Sequence, residues 1–164
     1  MQNMFFFFLI LLASIAGILS LALLFLRVLL LTATVELCSM APTLKQGERV
    51  LALRLPLKRW LRKGQIVLIW PAPGMSIPAP AGYQGAPYIK RIVAMGGDTF
   101  ALAPGEKSSP FVSPDHPRIW HIPPGHVFVR GDNPEPGMDS TVWGPVAMRY
   151  ILAIVLMKLP LHPL

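Results

Sequence analysis

The chain has one cysteine, Cys38, which excludes an intrachain disulfide and any metal site built from several cysteines. Charged side chains are scarce at 14%, against about 25% in an ordinary soluble domain, and the deficit is concentrated at the start. Between Met4 and Leu26 there is no charged residue at all. Met1-Gln2-Asn3 lacks the basic side chain expected ahead of a cleaved leader, and the uncharged run is longer than a leader's apolar core. None of the four histidines, His116, His121, His126 and His162, falls in a recognised pattern with a serine and an aspartate. No internal repeat is apparent.

The uncharged run is expected to be a retained membrane anchor instead. As a helix, the 23 residues from Met4 to Leu26 span roughly 35 Å, enough for a hydrocarbon core of about 30 Å. Val28 to Val35 continues apolar after a single Arg27. The expected organisation is an anchor segment over 1–35 and a β-rich domain over 36–164. Arg27, Arg49, Arg54, Lys58, Arg59, Arg62 and Lys63 all follow the anchor, but the positive-inside rule weakens for long translocated domains and does not fix the topology. The net charge of +7 has a local source, where Arg54, Lys58, Arg59, Arg62 and Lys63 interleave with Leu55, Leu57, Trp60 and Leu61. Two readings fit this segment equally: a strip lying on anionic lipid headgroups, and a solvated basic loop. It is too short for a nucleic-acid surface, and no nucleic-acid partner is expected.

Beyond the anchor the pattern becomes strand-like. Arg49–Leu53 and Gln65–Trp70 are short apolar runs bounded by Gly47, Gly64 and Pro71. Residues 71–87 are rich in proline, glycine and alanine, and read as a loop or flap between strands. Further strands are expected at Tyr88–Met95, Thr99–Leu102, Ile119–Ile122 and Val127–Arg130, with one or two more in Trp143–Leu159. Many short strands with Gly/Pro turns predict a mainly β fold, an antiparallel coiled or barrel-like sheet.

Three groups of residues carry chemistry. In a strand over Tyr88–Met95, Lys90 shares a face with Tyr88, Ile92 and Ala94, while Arg91 shares the other with Ile89 and Val93. On an inward face the ammonium loses its water, its pKa falls, and the lysine becomes a general base. On an outward face Lys90 simply reaches solvent, and spacing alone favours that plainer reading. Ser39 opens Ser39-Met40-Ala41-Pro42-Thr43-Leu44 just past the apolar run; its hydroxyl is a weak nucleophile without such a base. Pro42 favours an extended Ala41, which is expected to hold Ser39 on a strand edge where an extended peptide can pair. Taken alone, Ser39 reads equally as a turn-capping hydroxyl. Gly131-Asp132-Asn133 suits a tight turn, with Asp132 available to Arg91, whereas Asp132, Asp139 and Ser140 read locally as solvated turn residues.

Together, SMAPTL, YIKRIVAMGGD, IPPGHVFVRGDN and DSTVWGPV resemble, in order and approximate spacing, the boxes of type I signal peptidases. The resemblance covers nearly all of the chain after the anchor. It implies a membrane-anchored serine endopeptidase that removes signal peptides from exported preproteins, cutting after small residues in an Ala-x-Ala-like site. It implies no cofactor or metal, an extracytoplasmic β-sheet domain, a single pass through the plasma membrane, and preproteins, the bilayer and the export translocon as partners. Carried over by position, Ser39 is the nucleophile and Lys90 the general base. Met40 and Ile89 line the substrate cleft, Arg91 and Asp132 form a supporting ion pair, and Asp139 and Ser140 hold the lysine region. Three positions depart from the pattern. Leu37 stands where relatives often have a serine or glycine, Gly137 where many have a serine, and Thr141 where many have an arginine that could pair with Asp139. Leu37 has no side-chain donor for an oxyanion, a loss that can cost on the order of 10²–10³ in rate.

Rival readings are a histidine-based hydrolase, Cys38 as nucleophile, a self-cleaving repressor-type protease, a maturation peptidase of a specialised secretion or conjugation system, and a peptide-capturing β-domain that does not cut. The first two lack a pattern, and the third would carry a DNA-binding domain where this chain has an apolar span.

Overall fold

The computed structural model describes residues 2–54, 58–70, 86–103, 106, 118–135 and 137–160. The uncharged run forms one helix, α1 (Gln2–Leu29), interrupted by no proline. It is apolar on every side and, over Phe6–Leu29, long and apolar enough to cross a membrane, with none of that span buried against the rest of the protein. A helix of this kind has no soluble face to offer water.

The chain passes from α1 directly into a strand, β1 (Leu30–Thr34). Hydropathy alone groups these residues with the anchor; pairing with β2 (Arg49–Arg54) places them in the sheet. The remaining strands are β3 (Ile66–Ile69), β4 (Tyr88–Met95), β5 (Thr99–Ala101), β6 (Ile119–His121), β7 (His126–Arg130), β8 (Val146–Ala147) and β9 (Ile151–Leu159), with a short helix α2 (Ser140–Trp143) between β7 and β8. Seven strands form one antiparallel sheet in the order β1-β2-β9-β3-β4-β7-β8, and β5 and β6 form a separate ribbon. Register shifts in the β2–β9, β3–β9 and β4–β7 pairs mark irregularities that bend and twist strands, and the sheet curls into a half-barrel. The expected mainly antiparallel β fold with one N-terminal apolar helix is the fold observed.

Val67, Ile69, Tyr88, Ile92, Val129 and Ile154 pack into the largest core cluster among the described residues. A second cluster joins the ribbon to the sheet through aromatic rings, with Phe100 stacked on Phe128 at 4.5 Å and Trp120 tilted against it at 5.1 Å. The basic segment after β2 includes a single 3₁₀ turn at Lys58–Trp60, with Trp60 exposed and Leu61 buried. Residues 71–85 of the Pro-rich loop and most of 104–117 lie outside the described residues.

Candidate active site

Val35 is buried at the end of β1 and turns the chain towards a 3₁₀ turn, Cys38–Met40. Met40 anchors this turn in a core cluster with Val35, Leu44 and Val50, and its carbonyl accepts from the Leu44 N–H at 2.8 Å. A second clamp comes from the far end of the sheet. The Asn133 N–H donates to the Ser39 carbonyl at 3.1 Å, and Asn133 Nδ2 donates to the Cys38 carbonyl at 3.2 Å. Gly131 lies so close that a Cβ there would collide with the Ser39 carbonyl oxygen. Ser39 therefore sits in a turn gripped from two sides, not on the strand edge expected from Pro42. Ala41 is extended, as the proline requires, but the edge beside the site belongs to β1.

Lys90 lies on the inward face of β4, whose side chains alternate between buried and half-buried along its whole length. Only 2% of Lys90 is exposed. The loss of water pushes its ammonium down to about 8, against the opposing pull of Asp139, Asp132 and the Cys38 sulfur. Among the described residues no carboxylate comes within ion-pair distance of it. β4 packs against the Cys38–Met40 turn, which brings the lysine strand and the serine turn together.

The neighbouring Arg91 points the other way and is fully engaged. Its Nε and Nη2 donate to the two Asp132 oxygens at 2.8 and 2.5 Å, and its Nη1 donates to the Gly64 carbonyl at 2.6 Å. Burial raises the Asp132 carboxyl, but hydrogen bonds from Arg91 and Thr43 outweigh it and hold the group below the usual carboxylate range. Asp139 caps α2. Its Oδ1 accepts from the Thr141 N–H at 2.9 Å and the Thr141 hydroxyl at 2.7 Å, and its Oδ2 accepts from the Gly131 N–H at 3.2 Å. Ser140 is fully buried, and its Oγ accepts from the Val129 N–H at 3.0 Å. Asp139 and Ser140 thus tie α2 to β7 and are not solvated turn residues. A Cβ at Gly137 would meet nothing within 4 Å among the described residues.

A cleft of about 280 Å³ opens beside Ser39. Leu31, Ala33 and Leu37 line it together with Ser39, Met40, Tyr88 and Ile89. Leu37 is 51% exposed and presents only hydrocarbon to this space. The site as read from the sequence omits Gly131, Asn133 and Arg130; their signal was the box VRGDN itself, in which only Asp132 has an evident charge partner. Two of the histidines have local duties: His121 Nδ1 pairs with the Thr99 hydroxyl and His126 Nδ1 with the Pro124 carbonyl. His116 and His162 lie outside the described residues.

An apolar N-terminal helix feeding a curled antiparallel sheet, with a buried lysine strand packed on a serine turn, defines the class. The family model for signal peptidase, peptidase S26, matches residues 8–107, well over half of the chain, and the chain belongs to this family. It is 33% identical over 130 residues to thylakoidal processing peptidase 1, chloroplastic, of Arabidopsis thaliana, a match covering 70% of this chain and 37% of that protein. It is 28% identical over 140 residues to probable signal peptidase I-1 of Synechocystis sp., covering 73% and 66%. Mitochondrial inner membrane protease subunit 1 of Schizosaccharomyces pombe is 36% identical over 74 residues, covering 45% and 41%. The chain spans about a third of the length of the Arabidopsis thylakoidal peptidases it matches.

Proposed function

We propose that this protein is a membrane-anchored serine endopeptidase that cuts signal peptides from exported preproteins, with Ser39 as nucleophile and Lys90 as general base. The observation that carries this reading is Lys90, a lysine enclosed on the inward face of β4 beside the serine turn, with its pKa lowered to about 8 by burial. A neutral Lys90 Nζ takes the Ser39 proton as Oγ attacks the scissile carbonyl carbon. The oxyanion that forms is held by the Ser39 N–H. The C–N bond then breaks, and the Lys90 ammonium returns the proton to the leaving amine. Water, deprotonated by Lys90, attacks the resulting ester; the acyl C–Oγ bond breaks and the Lys90 ammonium returns that proton to Ser39 Oγ. Leu37 adds no second side-chain donor, so the oxyanion is held by fewer groups than where a serine stands there.

The apolar cleft lined by β1 and β4 residues, with Met40 and Ile89 among them, fits small apolar residues before the cut. An extended peptide paired along the exposed β1 edge would present alternate side chains to it. The helix α1 holds this cleft near a bilayer, where a signal peptide emerges. The domain is read as extracytoplasmic, on a single pass through the plasma membrane, with the export translocon nearby. The test is cleavage of a preprotein with an Ala-x-Ala site by the full-length protein in detergent. Ser39→Ala and Lys90→Ala should each abolish it; full activity in Lys90→Ala refutes the mechanism.

A further inference from the structure

In the β4–β7 pair, Arg91 stands directly opposite Arg130. Two guanidinium groups at facing positions repel unless each finds its own partner. Arg91 has Asp132. Arg130 is divided among three neighbours: its Nη1 is 2.5 Å from Glu106 Oε1, its Nε is 3.8 Å from Asp139 Oδ2, and its guanidinium lies 5.7 Å from the Phe100 ring centre. The Nε is buried and makes no hydrogen bond among the described residues, so it acts on Asp139 through space.

Asp139 is 5% exposed, and its hydrogen-bond donors are uncharged: two backbone N–H groups and one hydroxyl. Buried charges are usually paired as well as hydrogen-bonded. Arg130 stands 3.8 Å from it, and Lys90, outside ion-pair distance, feels its charge through space. These two compete. Whatever strengthens the attraction between Asp139 and Lys90 keeps the lysine protonated, a form that cannot accept the serine proton.

We propose that Arg130 is a positioning residue for the general base: by setting its guanidinium against Asp139, it offsets that carboxylate's charge and leaves Lys90 free to lose its proton. The inference rests on the Ser39/Lys90 reading and deepens it. The charged and titratable groups that act on Lys90 are Asp139 at the start of α2, Asp132 in the turn after β7, and the Cys38 sulfur in the serine turn. Asp132 is already paired with Arg91, so Asp139 is the carboxylate whose influence Arg130 governs. Thr141 stands where the family resemblance places an arginine. Here the threonine supplies the hydrogen bonds, and the cation comes from β7 instead.

The test is the pH dependence of kcat/KM for preprotein cleavage by the full-length protein in detergent. Wild type is compared with Arg130→Gln, Arg130→Lys and Glu106→Gln. Arg130→Gln should move the midpoint of the alkaline rise upward by up to about one pH unit, a roughly tenfold loss at pH 7 that is recovered above pH 9. Arg130→Lys keeps the charge and should keep the midpoint near wild type. Glu106→Gln releases Arg130 to Asp139 and should move the midpoint down. An Arg130→Gln profile lowered equally at every pH, with its midpoint unmoved, gives Arg130 a packing role only and overturns the proposal. If Arg130→Gln does not fold, Glu106→Gln decides: a fixed or raised midpoint overturns it. Lys90→Ala in the same assay keeps the two readings apart. Activity that survives Lys90→Ala removes the Ser/Lys mechanism itself. Activity lost in Lys90→Ala, with an unmoved Arg130→Gln midpoint, removes only the role of Arg130.

Discussion

Gly131→Ala tests how tightly the serine turn is held. A Cβ at this position would meet the Ser39 carbonyl oxygen closer than real Cβ contacts come, with the Ser39 carbonyl carbon at 3.4 Å and its Cβ at 3.6 Å. The obstructing atom is backbone, so no side chain can rotate away. The turn is fixed on its other side by Met40 in the core, and Gly131 is fixed by its N–H bond to Asp139. Relief therefore requires the Cys38–Met40 turn and the end of β7 to separate by on the order of 1 Å, a displacement that can cost about 10²-fold in rate. The Asn133 bonds to the Ser39 and Cys38 carbonyls would stretch with it. Overpacking of this kind typically costs about 1–3 kcal/mol of stability. The assay is steady-state cleavage of an Ala-x-Ala preprotein, with thermal unfolding in the same detergent. The loss should fall mainly on kcat, because the β1 and Ile89 walls of the cleft do not move. A folded Gly131→Ala protein with wild-type kcat would refute the claim that this contact positions Ser39.

Two further outcomes follow from the buried charges. Lys90→Met should abolish cleavage yet stabilise the fold at pH 7 by about 3 kcal/mol, because a lysine pKa lowered from 10.5 to about 8 costs about 1.4 kcal/mol per pH unit. The unfolded chain binds the extra proton between these two values, so wild-type stability rises across that window and the advantage of Lys90→Met shrinks to nothing above it. Denaturant unfolding at pH 7 and near pH 11 checks this, and a gain that is absent at pH 7 contradicts it. Thr141→Val keeps the side-chain shape but removes the 2.7 Å hydroxyl bond to buried Asp139. It should destabilise by about 1.5–3 kcal/mol, the usual range for a hydrogen bond to a charged group; unchanged unfolding in urea would show that the hydroxyl is dispensable.

What could be read from the sequence follows the range of the forces involved. β4 was legible to its exact ends, because period-2 alternation and the Gly96-Gly97 stop are local signals. The same alternation put Lys90 and Arg91 on opposite faces, although only the fold could say which face was inward. β1 was not legible. Leu30–Thr34 continues the anchor's apolar run without a breaker, and its strand character comes from pairing with β2 some twenty residues on. The serine turn reads locally as an edge for a similar reason. Pro42 acts on Ala41, but the position of Ser39 is imposed by Asn133 and Gly131, about ninety residues away. α2 spans four residues, too few for any periodicity to register, and its cap Asp139 looked like an ordinary turn carboxylate.

The arrangement around Lys90 follows from how neighbouring residues on a strand divide between two faces. Lys90 and Arg91 carry the same charge one residue apart, and the pleat sends one inward and the other to the Asp132 carboxylate. A guanidinium stays charged under any surroundings, whereas an ammonium yields its proton when it is dried. Exchanging the two residues would bury a cation that cannot be neutralised and leave an ordinary lysine on Asp132. On the proposed Ser39/Lys90 mechanism, the order Lys-Arg in this strand, and not the presence of two basic residues, is what supplies the proton acceptor. The same reasoning explains why Asp132 and Asp139 each lie beside a guanidinium. If Lys90 is the general base, a carboxylate left to it alone would hold its proton in place, and cleavage would need a more alkaline medium.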